Sequence, residues 1–265
     1  FKLASIKKTD QDYIVFFNYF TALLGMLIYC IFSEKMNVSS LKNGPMLILA
    51  LVLMVFMFSN LAGNNSSTDK NGINSTTFFN RIGFLPCILL SAVFWKDLPN
   101  LYQILGMVIL VGSLIFMLKD MKKVKGTNML LLFSLTFTSG MVSLLNIVYG
   151  KYFSVKTEVL FLTAVFFMAA FFAVIVLFFK KKMPWRCGRD DFTVGLFIGI
   201  SNIFTTLFML KSYTVVSANI VAPTTAAGNM IFAAVIGKMV FKEEVNRNTI
   251  IALCMAIASV ILVNV

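Results

Sequence analysis

Apolar residues in this chain come in long unbroken runs rather than at a helical or strand period. Residues 128–150 and 248–265 carry no charge at all, and 157–179 carry one, Glu158, at the edge. About 20 such residues at 1.5 Å each cross a hydrocarbon core of about 30 Å. A run that is apolar on every side has no face to offer water. Breaks at charge clusters and at Gly, Asn and Pro groups predict helices at 13–32, 44–62, 72–94, 100–118, 128–150, 157–179, 191–211, 215–240 and 248–265. The expected fold class is therefore an all-α membrane protein, a multi-span helical bundle.

The opening residues Phe1-Lys2-Leu3-Ala4-Ser5 read as the tail of a further span entering a charged turn, Lys7-Lys8-Thr9-Asp10, and the chain does not start with Met. A tenth helix, largely missing here, is expected ahead of them, against the alternative of an intact nine-span chain. Ten spans divide into two fives, and the sequence supports that division. A shift of 146 positions lays Trp95-Lys96-Asp97-Leu98-Pro99-Asn100 on Phe241-Lys242-Glu243-Glu244-Val245-Asn246 and then pairs Ile104 with Ile250, Ser113 with Ser259 and Ile115 with Ile261. The polar Lys/acid/Asn trio carries most of the weight, since apolar segments match one another readily. The repeats would occupy 1–120 and 121–265. An odd number of spans per repeat turns the second half upside down, an arrangement of transporters with the solute site near mid-membrane.

The segment Phe241-Lys242-Glu243-Glu244 follows Ser217-Ala218-Asn219-Ile220-Val221-Ala222-Pro223 and precedes a terminal apolar helix. It resembles the second repeat of an EamA-type member of the drug/metabolite transporter superfamily. Pro86, Phe94-Trp95-Lys96-Asp97 and Gln103-Ile104-Leu105-Gly106 are similar to the first-repeat counterpart. The resemblance implies ten helices in two inverted five-helix repeats and transport of a small solute by alternating access. Two departures stand out: the first helix is absent, and Asp97 sits where the family more often has Glu.

Composition sharpens this picture. Hydrophobic residues make up 59% of the chain against 13% charged, and mean hydropathy is +0.88, outside the range of soluble domains. The formal charge of +12 resides mostly in loops, so anionic lipid headgroups rather than nucleic acid are the expected partners. All 11 acids fall at helix ends or between spans, which leaves no carboxylate in the membrane for proton coupling. Without any His, imidazole chemistry is excluded, and Cys30, Cys87, Cys187 and Cys254 show neither zinc nor disulfide spacing. No cofactor is expected, no Walker A loop is present, and clustered catalytic groups are lacking, so an enzyme is disfavoured.

Arg81 is the outlier. About ten residues into the span 72–94, it would lie roughly 13 to 15 Å from the nearer end, too deep for easy snorkelling. Its planar fork suits a carboxylate or phosphate. Thr77 and Asn80 share its helix, and Thr224, Thr225 and Asn229 lie on the counterpart helix of the second half. Thr77 and Arg81 share a face, as do Thr225 and Asn229, so two polar stripes could line one cavity; interhelical hydrogen bonding is the plainer alternative. Lys211, at the end of the span 191–211, either snorkels to the interface or gives a second cationic contact to the solute. Gly195-x-x-x-Gly199 suits close helix packing.

Basic residues concentrate at 119–125 and 180–189, which by the positive-inside rule would be cytoplasmic; the resemblance implies the reverse orientation. The leading expectation is a secondary transporter of a small organic metabolite, anionic or zwitterionic, in a bacterial inner membrane. Facilitated diffusion or exchange fits it better than proton coupling. The expected partners are the solute and membrane lipids, with a homodimer allowed. The alternative is a non-transporting polytopic scaffold or a subunit of a lipid-handling complex.

Overall fold

The computed structural model describes the backbone of residues 9–32, 43–119, 128–183, 187–241 and 247–265. The expected remnant of a first helix, and the motif residues 242–246, lie outside the described residues. Nine helices are described, with no strand among them: α1 (Gln11–Phe32), α2 (Gly44–Gly72), α3 (Ser75–Trp95), α4 (Leu101–Lys119), α5 (Met129–Tyr152), α6 (Glu158–Phe179), α7 (Arg189–Val215), α8 (Ala218–Phe241) and α9 (Arg247–Val263). Seven are long and apolar enough to cross a membrane, while α4 and α9 are shorter apolar helices. The chain is an integral, multi-pass membrane protein.

The most informative departure from expectation is at 63–71, which is helix rather than loop. Helical backbone runs from Gly44 to Ile82, broken only at Gly72, where φ is 81° and ψ 155°. That left-handed conformation suits glycine and little else. The chain reverses there, since Asn80 Nδ2 donates to Asn64 Oδ1 at 3.0 Å and Thr76 Oγ1 to Ser67 Oγ at 2.7 Å. A straight helix would hold Asn64 and Asn80 about 24 Å apart. The polar residues that read as a loop instead zip the hairpin. Asn71, 1% exposed, donates to Ser67 Oγ at 3.0 Å, and its Oδ1 accepts the amide of Asn128 at 2.6 Å just ahead of α5.

Two compact units share the chain: residues 1–61 with 145–215, and 62–144 with 216–265, with α2 and α5 contributing to both. In the first unit, α1 packs on α6 and α7. Small residues allow the approach to α7: a Cβ on Gly199 would lie 2.7 Å from the Asn18 carbonyl oxygen, and Asn202 Nδ2 donates to Asn18 Oδ1 at 3.2 Å. Phe166 is core, whereas Phe167 and Phe171 are exposed as lipid-facing bulk. At one end of this unit Lys182 Nζ donates to Asp10 and Asp12 at 2.5 and 2.6 Å, and Lys180 to Asp12 at 2.6 Å. Asp191 ties in by accepting the amides of Asp10 (2.8 Å) and Gly188 (2.9 Å).

In the second unit, α4 and α9 are antiparallel. Ser113 Oγ donates to the Ala252 carbonyl at 2.6 Å, and a Cβ on Gly106 would come within 3.0 Å of the Ser259 carbonyl oxygen. Under the shift of 146, Gly106 corresponds to Ala252 and Ser113 to Ser259, so these two contacts are reciprocal. The burial pattern repeats as well: Gly106, Leu110 and Ser113 are buried, as are Ala252, Ala256 and Ser259, while Ile104, Val108 and Ile115 are exposed with Ile250, Cys254 and Ile261. The same shift carries α1 to 157–178, α2 to 190–218, α3 to 221–241 and α4 to 247–265, close to the bounds of α6, α7, α8 and α9.

Two outcomes follow. Gly72→Val should destabilise the full chain by about 1–3 kcal/mol through backbone strain, read as an earlier midpoint in mixed-micelle denaturation; Gly72→Ala should lie between. Burial opposes the charge on Lys182, but its hydrogen bonds to Asp10 and Asp12 outweigh that and raise its pKa above the ordinary 10.5. A raised lysine stabilises the fold fully below its unfolded value and loses that contribution as pH rises through the folded one. The stability gap between wild type and Lys182→Met should therefore be flat near neutrality and close at alkaline pH above 10.5. A gap unchanged there would assign the effect of the variant to packing.

Candidate functional site

α3 does not run as one helix. Helical turns from Ser75 stop at Ile82 and restart at Phe84, because Pro86 has no N–H to give the Ile82 carbonyl and its ring crowds that turn. Gly83 N bonds back to Asn80 O at 3.3 Å instead of reaching Phe79. The freed carbonyls pass to hydroxyls on α5: Thr136 Oγ1 donates to Phe79 O at 2.8 Å and Ser139 Oγ to Asn80 O at 2.9 Å. In a membrane protein an unpartnered carbonyl costs several kcal/mol, so the break stands only with this clamp. The helices meet backbone to backbone at this point. A Cβ on Gly140 would lie 2.8 Å from the Gly83 oxygen and 2.9 Å from Pro86 Cγ.

Arg81 sits two residues before the break, half-buried. Its Nη2 donates to the Asn229 main-chain carbonyl on α8 at 3.3 Å. Asn80 holds Asn64 across the hairpin, and Thr77 is half-buried one turn before Arg81. The hairpin places Arg81 level with Asn64, nine residues past the Gly72 turn. Arg81 thus lies where the polar residues of the hairpin end and the break in α3 begins.

On α8, Thr225 Oγ1 bonds its own helix at Val221 O (2.7 Å), and Thr224 Oγ1 accepts from Asn264 Nδ2 at 3.4 Å. Asn219 Nδ2 donates to the carbonyl of Asp97 at 3.0 Å, tying the start of α8 to the turn after α3. The structure thus brings Arg81 against Asn229 and stitches Asn80 to the hairpin, while the two threonines are engaged close to home.

Lys211 belongs to the other unit. It lies inside α7, not at its end, and its Nζ is 3.4 Å from Glu158 Oε1. Glu158 was legible only as an acid at a helix start; in the fold its side chain is 1% exposed. The hydroxyl clamp of Thr136 and Ser139 was also missed, although Gly83-x-x-Pro86 marks a break that some neighbour has to satisfy.

No curated protein matches the chain. A solved crystal structure of a protein overlays on it with a TM-score of 0.73 at 10% sequence identity, covering 98% of this chain and 89% of that one. At that identity the likeness is one of fold. The family model described as "EamA-like transporter family" matches residues 129–265, more than half of the sequence and most of α5 to α9. With a multi-pass helical fold and that match, the chain belongs to the EamA-like transporter family.

Proposed function

We propose that the chain is a secondary transporter that moves a small anionic or zwitterionic organic solute by alternating access across a bacterial inner membrane. The observation that carries this reading is the guanidinium of Arg81, held beside a helix break and bonded to the Asn229 main-chain carbonyl. Broken helices in transporters bring polar backbone and side chains to the solute path. A fork of N–H donors there favours a carboxylate or phosphate oxygen over a cation. Thr77, Asn80, Thr224, Thr225 and Asn229 complete the proposed solute-contacting set, as donors and acceptors that select shape rather than charge. Lys211, in the first unit, is proposed separately as a cation that meets a solute anion.

The proposed repeats, 1–120 and 121–265, give the symmetry such a cycle needs. Four helix pairs matched by one shift, and the reciprocal contacts of α4 with α9, support an inverted relation. A non-transporting scaffold has no comparable use for a broken helix beside a cation.

Flux of radiolabelled lactate, alanine and glycerol 3-phosphate into proteoliposomes tests the reading, the three probes presenting a carboxylate, a zwitterion and a phosphate ester. Wild type should carry at least one of them. Arg81→Leu should insert and fold yet lose about 10- to 100-fold in flux, the worth of one charge-assisted hydrogen bond or a bidentate pair. Arg81→Lys keeps the charge without the fork and should fall between. A folded Arg81→Leu protein with full flux removes Arg81 from the path, and silence toward every probe in wild type removes the solute class.

A further inference from the structure

Glu158 opens α6 at the mouth of the turn Val155–Thr157, where a carboxylate is favoured by the helix dipole. Its side chain is 1% exposed, and neither carboxylate oxygen has a hydrogen-bond partner. Its charge is met by Lys211 Nζ at 3.4 Å, longer than the roughly 2.7–2.9 Å of a charge-assisted hydrogen bond, and the Lys211 side chain is 41% exposed. The described titratable neighbours, besides Lys151 at the end of α5, are few. Tyr149 of α5 lies within the carboxylate's electrostatic reach. Its hydroxyl, however, is engaged with Ser154 O at 3.0 Å and Thr157 Oγ1 at 2.8 Å. Tyr213 is the other titratable group of α7 near Lys211, Lys156 lies in the preceding turn, and the C-terminal half of α1 offers only Tyr29 and Cys30. Among the described residues, the buried carboxylate is paired with one half-exposed lysine.

We propose that Glu158 is a proton site whose occupant alternates between H⁺ and the Lys211 ammonium, so that capture of a monoanion by Lys211 brings one proton onto Glu158. If Lys211 turns toward a solute anion, the carboxylate is left as a bare buried charge, the costly outcome of breaking a buried pair from one side. A proton from water removes that cost. The exchange balances: R–COO⁻, H⁺ and the pair Lys211–NH₃⁺/Glu158–COO⁻ become R–COO⁻/Lys211–NH₃⁺ and Glu158–COOH. No bond other than the O–H forms, and one proton accompanies one monoanion. The sequence points away from proton coupling because Glu158 reads as a helix-end acid, and its burial is what reverses that expectation. The Lys211 half rests on the anionic reading above; the proton half stands on the geometry of Glu158. Asp12 is the counterpart of Glu158 under the 146-residue shift, but it is held by two lysines at 2.6 Å and is therefore no second site of this kind.

Dicyclohexylcarbodiimide reacts with protonated carboxyl groups in apolar surroundings and tests the proposal on the full chain in phosphatidylethanolamine/phosphatidylglycerol vesicles, with the adduct placed by mass spectrometry. Lys211→Met should label Glu158 several-fold faster than wild type near neutral pH, and Lys211→Arg should label like wild type. Saturating sodium lactate, relative to sodium chloride, should speed wild-type labelling several-fold and leave Lys211→Met unchanged; Glu158→Gln should take up nothing at that position. If Lys211→Met does not fold, the lactate response of wild type decides. Glu158 unlabelled in folded Lys211→Met, or labelled at one rate whatever the state of Lys211, overturns the proposal. Fast labelling in Lys211→Met with no wild-type response to lactate, alanine or glycerol 3-phosphate upholds the proton site and sinks the anionic-solute reading instead.

Discussion

A helix that breaks inside a membrane protein has to pass its freed carbonyls to a neighbour, and much of the second unit is arranged around that requirement. Pro86 and Gly83 interrupt α3, and Thr136 and Ser139 of α5 accept the consequences at Phe79 and Asn80. Both hydroxyls reach their targets only because Gly140 lets the two backbones touch. The N-terminal end of α5 is fixed in turn by Asn71, whose side chain takes the amide of Asn128 while bonding Ser67 within the hairpin. Hairpin turn, broken helix and clamp helix form one connected polar structure, and Arg81 is positioned by it. Removing the Thr136 hydroxyl would take from the Phe79 carbonyl the hydrogen bond it receives across the helix contact, a penalty of about 1–3 kcal/mol.

Glu158 and Asp12 show how one local sequence pattern yields two electrostatic outcomes. Both open a helix whose first turn favours negative charge. Asp12 faces lysines on a short exposed turn and belongs to a solvated network, of a kind worth little per pair at a surface. Glu158 faces one lysine from a packed helix and has lost its water. Burial, not residue type, separates a latch from a group that changes partners.

Most of the architecture was readable from the chain, since spans in hydrocarbon are defined by length and apolarity, and the nine predicted helices lie within a few residues of the described ones except at two places. Residues 63–71 looked like a loop because Asn64, Asn65, Ser66, Ser67 and Thr68 are poor helix formers in water; with Asn64 and Ser67 paired across the hairpin to Asn80 and Thr76, the helix continues. α7 runs past Lys211 to Val215 because the lysine charge is met by Glu158 within the fold, so the residue need not mark an interface. The candidate site was legible as a set of residue types. Its geometry was not, because the level of Arg81 depends on where the chain reverses, and one glycine with φ of 81° decides that.

The 146-residue correspondence also separates positions that shape the fold from positions that carry chemistry. Along α4 and α9 the matched residues at the contact are alike: Gly106 with Ala252 and Ser113 with Ser259, all buried where two antiparallel helices touch. Reciprocal packing demands small side chains on both sides of the contact, so both halves supply them. Along α3 and α8 the matched residues differ: Thr77 with Pro223, Asn80 with Ala226, Arg81 with Ala227, Gly83 with Asn229. A break and a cation occur on α3, and α8 answers with the Asn229 main-chain carbonyl. The divergence falls on the helix pair that holds Arg81.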